Sequence, residues 1–173
     1  RFVLSVGYKK EVIMDFLGSS YRSTPLTYAI EDEPLGTGGG ILLAAYGLSE
    51  PFLVLNGDTF FEVPLAKLLR FHADHKADWT FSLFRTNEIG RYMGIEVRPD
   101  GEIESFKSGM GQQERLANGG VYLLNPSVLT NKVFVPGSKL SLEDDVIPAL
   151  VAQDYNFFGL EFPDTFIDIG IPQ

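Results

Sequence analysis

The sequence predicts an α/β protein built on a doubly wound, mixed and mainly parallel sheet with a short antiparallel extension. Three observations carry that prediction. Strand-like and helix-like runs alternate through the first half of the chain, as β-α units do. The run Phe52-Leu53-Val54-Leu55 is continuously apolar, which suits a parallel strand covered on both faces. From Trp79 onwards the strand-like runs shorten and turn residues separate them, which fits antiparallel strands added to that sheet.

The elements follow in order. Phe2 to Val6 is the opening strand. Tyr8, Val12, Ile13, Phe16 and Leu17 recur at helical spacing, and Gly18 ends that helix. Leu26 to Ile30 is a second strand, followed by the glycine-rich turn Gly36-Thr37-Gly38-Gly39-Gly40 and an apolar helix to about Gly47. After the strand at 52–55, Pro64 opens an amphipathic helix with Leu65, Leu68, Leu69 and His72; His72 and His75 read as surface residues. Short strands are expected at Thr80 to Phe84, Ile95 to Val97, Ile103 to Phe106 and Val121 to Leu124, with a turn at Pro99-Asp100-Gly101. Ser141 is the expected N-cap of a helix through Val151, and Phe157 to Phe162 and Phe166 to Ile169 are the last strands. With no repeat, low-complexity tract or linker, a single domain over 1–173 is expected.

Composition narrows the function classes. The chain has 173 residues, 45% of them hydrophobic and 21% charged, as in an ordinary globular protein. It has no cysteine, which removes disulfides, thiolate metal sites and cysteine nucleophiles and is compatible with a reducing cytoplasm, the expected location. A net charge of -9 argues against nucleic acid as a partner. No apolar run reaches the roughly 18 to 20 residues that span a bilayer, so no membrane role is expected. The chain opens at Arg1 inside a strand-like run, so residues are expected ahead of it.

Two acids stand where a hard cation would be held. Asp58 follows the apolar run in Leu55-Asn56-Gly57-Asp58, and Asp168 lies in Phe166-Ile167-Asp168-Ile169-Gly170, each beside a strand and a glycine. Mg²⁺ takes one or two carboxylates and keeps its other positions for water and phosphate, so together they would complete a site. Both are also ordinary turn residues that bond their own backbone. Glu31-Asp32-Glu33-Pro34-Leu35 leads into four glycines in the five positions 36–40, a density that implies close approach to the backbone by some group. A flexible loop before a helix is the alternative. No Lys-Ser/Thr pair follows, so this is not a P-loop, and the spacing is not that of a dinucleotide fingerprint.

Pro34-Leu35-Gly36-Thr37-Gly38-Gly39, Leu55-Asn56-Gly57-Asp58, Asn118-Gly119-Gly120-Val121-Tyr122 and Phe166 to Gly170 occur here in an order that resembles the sugar-1-phosphate nucleotidyltransferases. The ending Phe166-Ile167-Asp168-Ile169-Gly170 and Asn56-Gly57-Asp58-Thr59-Phe60-Phe61 favour the D-glycero-α-D-manno-heptose 1-phosphate guanylyltransferase branch, with mannose 1-phosphate guanylyltransferases as near relatives. The resemblance implies a Rossmann-like nucleotide-diphospho-sugar transferase fold and a transfer between GTP, or another nucleoside triphosphate, and a sugar 1-phosphate. Asp58 and Asp168 match the family's Mg²⁺-binding acids. Glu31 and Gly36 match positions at the nucleobase, with Thr37, Asn56 and Gly57 in the same nucleotide motifs. A carboxylate at 31 can accept from both N1–H and N2–H₂ of guanine, which favours GTP, while a solvated strand-end carboxylate is the plainer reading. Asn118, Gly119 and Glu143 match sugar contacts, Glu143 being also a first-turn acid behind Ser141 that the helix dipole alone would favour.

Some features depart from the family. Nothing matches its opening Gly-Gly-x-Gly-Thr-Arg-like triphosphate loop. The usual Phe-x-Glu-Lys is replaced by Phe106-Lys107-Ser108-Gly109, which shifts the phosphate or sugar contact expected of Lys107 by two positions, and Tyr92-Met93-Gly94 replaces Tyr-Gly. Another nucleoside-diphosphate-sugar pyrophosphorylase, or a non-catalytic subunit that binds nucleotide sugars, are the alternative functions. A homo-oligomer is left open, with no hexapeptide-repeat domain expected.

Overall fold

The computed structural model describes residues 1–88, 91–92, 94–106, 115–129, 133–135 and 137–170. They fall into two compact units, residues 1–49 with 129–154 and residues 50–128 with 155–173.

In the first unit β1 (Phe2–Val6) runs parallel to β3 (Thr24–Ile30), with Phe2 opposite Leu26 and Val6 opposite Ile30. α1 (Lys10–Leu17) connects them and ends at Gly18, whose φ of 65° and N–H bond to the Met14 carbonyl stop the helix where the sequence predicts. The short β2 (Ser20–Tyr21), which the apolar pattern does not announce, pairs antiparallel with the start of β3. α2 spans Gly36–Ala44, so the glycines expected to form a turn are instead the first helical turn. Glycine costs a helix about 1 kcal/mol relative to alanine. The helix forms because its bare backbone docks on segment 138–142: Gly39 N–H donates to the Leu140 carbonyl at 3.2 Å, and Leu140 N–H to that of Leu35 at 2.8 Å. Ser141 caps the last helix as expected, its hydroxyl accepting from Asp144 N–H. That helix opens as a π-turn (Leu142–Val146) and continues as α4 (Ile147–Val151).

The second unit is organised by two long strands. β6 (Trp79–Thr86) lies between β10 (Phe157–Glu161), parallel to it, and β9 (Arg115–Leu124), antiparallel. The other edge of β9 is shared by β4 (Phe52–Leu55) and β7 (Gly94–Val97), both antiparallel to it; β8 (Ile103–Ser105) pairs with β7 across the turn at Gly101. β5 (Thr59–Phe61) pairs with the last strand, β11 (Phe166–Asp168). The mixed α/β class holds, but the run 52–55, expected to be a parallel strand buried on both faces, is antiparallel and only half-buried, with Leu55 65% exposed. Two-sided burial belongs to β6, in which every residue from Trp79 to Phe84 is buried. On one face of β6 Trp79 stacks on Phe81 and Phe157, and Tyr122 meets Trp79 and Phe81 edge-on; the other face presents Phe84 to Phe61, Leu68, Leu123 and Phe162.

The alternation in β6 hides this burial from a pattern search, because Thr80 and Ser82 are buried too. Ser82 Oγ donates to the Val121 carbonyl at 2.8 Å, and Thr80 Oγ1 lies 2.8 Å from His72 Nδ1. His72 on α3 (Leu65–Asp74) is therefore core, not surface. Its Nε2 is 3.3 Å from Asn125 Oδ1, while Asn125 Nδ2 donates to the Ala77 carbonyl; the network fits an Nε2–H tautomer that accepts from Thr80 at Nδ1. His75, also expected at the surface, is half-buried against the Phe71 and Phe158 rings. Burial pushes the His72 pKa below 6.5, against the Asn125 bond and the Asp78 charge. The unfolded chain then binds a proton that the folded chain refuses, so the contribution of His72 to stability is complete above pH 6.5 and is lost as pH falls below it. Urea unfolding at pH 7.5 and 5.0 should give a larger loss on acidification for the wild type than for His72→Gln. An equal loss in the two proteins would remove His72 as the cause.

Among the described residues, no helix is long and apolar enough to cross a membrane.

Candidate functional site

Three of the sequence motifs meet in the second unit. The register of β6 on β9 shifts between Phe81, opposite Tyr122, and Leu83, opposite Asn118, so Gly119 and Gly120 bulge out of the ladder. Gly120 has φ 75°, and an added Cβ would lie 2.8 Å from both Asn56 Nδ2 and Thr59 Oγ1. Asn56 N–H donates to the Gly120 carbonyl at 2.8 Å, which docks the Asn56-Gly57-Asp58 turn on the bulge. Asn118 braces the same bulge, accepting from Gly120 N–H at 3.0 Å and donating to the Tyr122 hydroxyl at 2.7 Å. Gly119 is buried, and a Cβ there would enter the Phe61 ring, so packing supplies a reason for this glycine. Gly57 meets nothing within 4 Å.

Pairing of β5 with β11 then brings the two acids together. Asp168 is opposite Thr59, and Ile169 N–H donates to the Asp58 carbonyl at 3.0 Å. A Cβ on Gly170 would lie 3.4 Å from Asp168 Oδ1 and 3.6 Å from Asp58 Oδ2, so both carboxylates border the space that Gly170 leaves open. Two hard oxygen donors facing one small space are a donor set that suits Mg²⁺, which needs few protein ligands. Among the described residues no group of three or more His, Cys, Asp or Glu converges.

Asp168 carries its own counter-charge. Its Oδ1 accepts from Gly170 N–H at 3.1 Å; its Oδ2 accepts from Arg91 Nη2 at 3.1 Å and from the Tyr92 hydroxyl at 3.3 Å. Desolvation alone would raise this carboxyl, but the Arg91, Gly170 and Tyr92 bonds and the Arg91 charge together hold it below its ordinary value. It is a carboxylate at neutral pH.

In the first unit Glu31 is half-buried just beyond the end of β3. Oε1 accepts from the Ser5 hydroxyl at 2.8 Å and Oε2 from Leu35 N–H at 2.9 Å, so this carboxylate closes the 31–35 turn and ties it to β1. Each oxygen keeps a further lone pair. Gly36 has φ 71°, and a Cβ on it would lie 2.7 Å from the Leu140 carbonyl; for Gly38 the first neighbour is Val146, for Gly39 the Ser138 carbonyl, and for Gly40 Glu31 Oε1. The close approach that the glycine run implies is thus made by this unit's own backbone and by Glu31. Thr37 is exposed in the first turn of α2. Glu143 is exposed on the π-turn and outside the capping pair, in which Asp145 accepts from Ser141 N–H and Asp144 N–H donates to Ser141 Oγ. Partial desolvation, with the Asp144 charge, raises the Glu143 pKa.

Lys107 lies outside the described residues. Sequence reasoning did not single out Ser5, Arg91 or Tyr92 as site residues. A polar residue within the apolar run of β1 is the available signal for Ser5; Tyr92 opens the Tyr92-Met93-Gly94 segment that departs from the family pattern, and Arg91 directly precedes it.

Comparison with known proteins places the chain. The nucleotidyl transferase family profile matches residues 2–173. A D-glycero-α-D-manno-heptose 1-phosphate guanylyltransferase of Aneurinibacillus thermoaerophilus is 37% identical over 173 residues, 99% of this chain and 74% of that protein. A probable mannose-1-phosphate guanylyltransferase of Oryza sativa subsp. japonica is 36% identical over 99% of this chain, which spans 48% of it, about half its length. The crystal structure of HddC from Yersinia pseudotuberculosis complexed with GMP-PN superposes with a TM-score of 0.81 at 29% identity, covering 99% of this chain and 74% of that one. The chain therefore belongs to the nucleotidyl transferase family.

Proposed function

We propose that this chain forms a GDP-sugar from GTP and a sugar 1-phosphate with release of pyrophosphate, and that the sugar is a D-glycero-α-D-manno-heptose. The observation that carries the reading is the convergence of Asp58 and Asp168 on the space beside Gly170. The heptose and mannose guanylyltransferase relatives and the GMP-PN complex of HddC support the choice of nucleotide. The family profile spans both units, which supports treating them as parts of one nucleotidyltransferase domain.

In this reading a phosphate oxygen of the sugar 1-phosphate attacks the α-phosphorus of GTP. The bond from that phosphorus to the oxygen bridging the β-phosphorus breaks, and its electrons leave with pyrophosphate. The attacking oxygen is already anionic, so no side chain needs to remove a proton. Rate then comes from alignment and charge neutralisation. Asp58 and Asp168 would hold a Mg²⁺, which when bound supplies positive charge to phosphate oxygens. Glu31 and Gly36 would hold the base, with Thr37, Asn56 and Gly57 beside the nucleotide. Asn118, Gly119 and Glu143 would hold the sugar.

The test is pyrophosphate release by the full-length protein across GTP, UTP, dTTP and CTP paired with heptose 1-phosphate and mannose 1-phosphate. GTP with heptose 1-phosphate should give the highest kcat/KM; no release with any pair would sink the reading, and a mannose preference would move it to the second relative's substrate. Glu31→Gln should lower kcat/KM for GTP by about 10-fold, because the amide replaces one acceptor with a donor. Equal losses for every nucleotide would assign Glu31 to its bonds with Ser5 and Leu35 alone.

A further inference from the structure

An exposed aspartate turns freely about its last torsion, whose energy profile is broad and two-fold. Asp168 does not have that freedom, because its two oxygens answer to different partners. Oδ2 is held from one side by Arg91 and Tyr92, and Oδ1 is left with Gly170 N–H beside the space it shares with Asp58 Oδ2. We propose that Arg91 and Tyr92 are positioning residues that fix the Asp168 carboxylate with Oδ1 toward Asp58; the inference rests on the metal reading above.

The two donors are themselves held. The Tyr92 ring packs edge-on against Phe84 and Phe166, with centroids 5.3 and 5.7 Å away, so its hydroxyl projects from a fixed point. Phe166 is two residues before Asp168 on β11, which ties the donor and the acceptor to one strand. Arg91 lies over the Tyr92 ring at 5.1 Å and donates to Glu88 Oε2 at 2.7 Å, so a second carboxylate steadies the guanidinium. Arg115, the first residue of β9, donates through Nη2 to the Glu88 carbonyl at 2.7 Å and reaches that of Tyr92 at 3.4 Å. The residues that hold Asp168 are thus fastened to the long central strand. Partners that orient a metal ligand in this way commonly account for about 10 to 100-fold in metal affinity.

Mn²⁺ binding without nucleotide, followed by electron paramagnetic resonance, tests this in the full-length protein alongside Asp168→Asn, Tyr92→Phe, Arg91→Met and Arg91→Lys. Tyr92→Phe keeps the ring packing and removes only the hydroxyl. It and Arg91→Met should each weaken Mn²⁺ by about 10-fold or more, with Arg91→Lys recovering part of the loss. Crystal structures of Tyr92→Phe and Arg91→Met should have the Asp168 carboxylate turned away from its present orientation. Unchanged or tighter Mn²⁺ binding with an unchanged carboxylate overturns the positioning role. Wild-type affinity in Asp168→Asn overturns the metal reading instead, and this inference with it.

Discussion

Asp58→Asn and Asp168→Asn are each expected to lower pyrophosphate release by about 10³-fold or more, the equivalent of roughly 4 kcal/mol of transition-state stabilisation. The substitution keeps the side-chain volume and the turn-forming carbonyl oxygen while removing the charge. In the first variant the backbone carbonyl at position 58 would still accept from Ile169 N–H, and in the second the new amide oxygen could still accept from Gly170 N–H. The fold should therefore persist. Asp168→Asn also removes a pair with Arg91 that is partly solvated, and such pairs contribute little to stability. Thermal unfolding midpoints close to wild type, together with rates that no longer respond to Mg²⁺ concentration, are the expected pair of results. Retained Mg²⁺-dependent turnover in either variant would contradict the assignment of both acids to one cation.

That prediction could be written from the sequence because each acid lies beside a strand-like run and a glycine, and a strand's end is fixed by local pattern. What joins them was not legible. The antiparallel pairing of Thr59 with Asp168 links residues far apart in the chain, and neither short strand announces its partner. Phe52 to Leu55 misled for a related reason: an apolar run reports burial propensity but not which edge of a sheet it will take. In β6 aromatic and hydroxyl residues alternate and yet both faces are buried, because His72 and the Val121 carbonyl satisfy Thr80 and Ser82 inside the core. A single polar residue gives no hint that its partner is buried with it. Local pattern marks Tyr92 only as the start of a departure from the family motif and does not mark Arg91, because their reach to Asp168 across the unit is a contact that no local spacing encodes.

The glycine run shows how a correct local inference can have an unexpected object, and Gly39→Ala measures it. A Cβ at Gly39 would sit 2.6 Å from the Ser138 carbonyl and 2.8 Å from Leu35 Cβ, so backbone must move to admit it. Overpacking of this kind costs about 3 kcal/mol at its upper range, against about 1 kcal/mol that alanine returns as a better helix former. A net loss of about 2 kcal/mol is expected, lowering the unfolding midpoint by roughly 4 to 8 °C. Gly57→Ala is the contrast, because an added Cβ there meets open space and stability should hold. If Gly39→Ala is as stable as wild type, contact with segment 138–142 does not explain the glycines of α2, and close approach by a bound ligand becomes the better account. If stability falls as expected while Gly57→Ala raises the KM for nucleotide without unfolding the chain, the two glycine motifs divide cleanly: one serves helix docking, and the other leaves room for substrate.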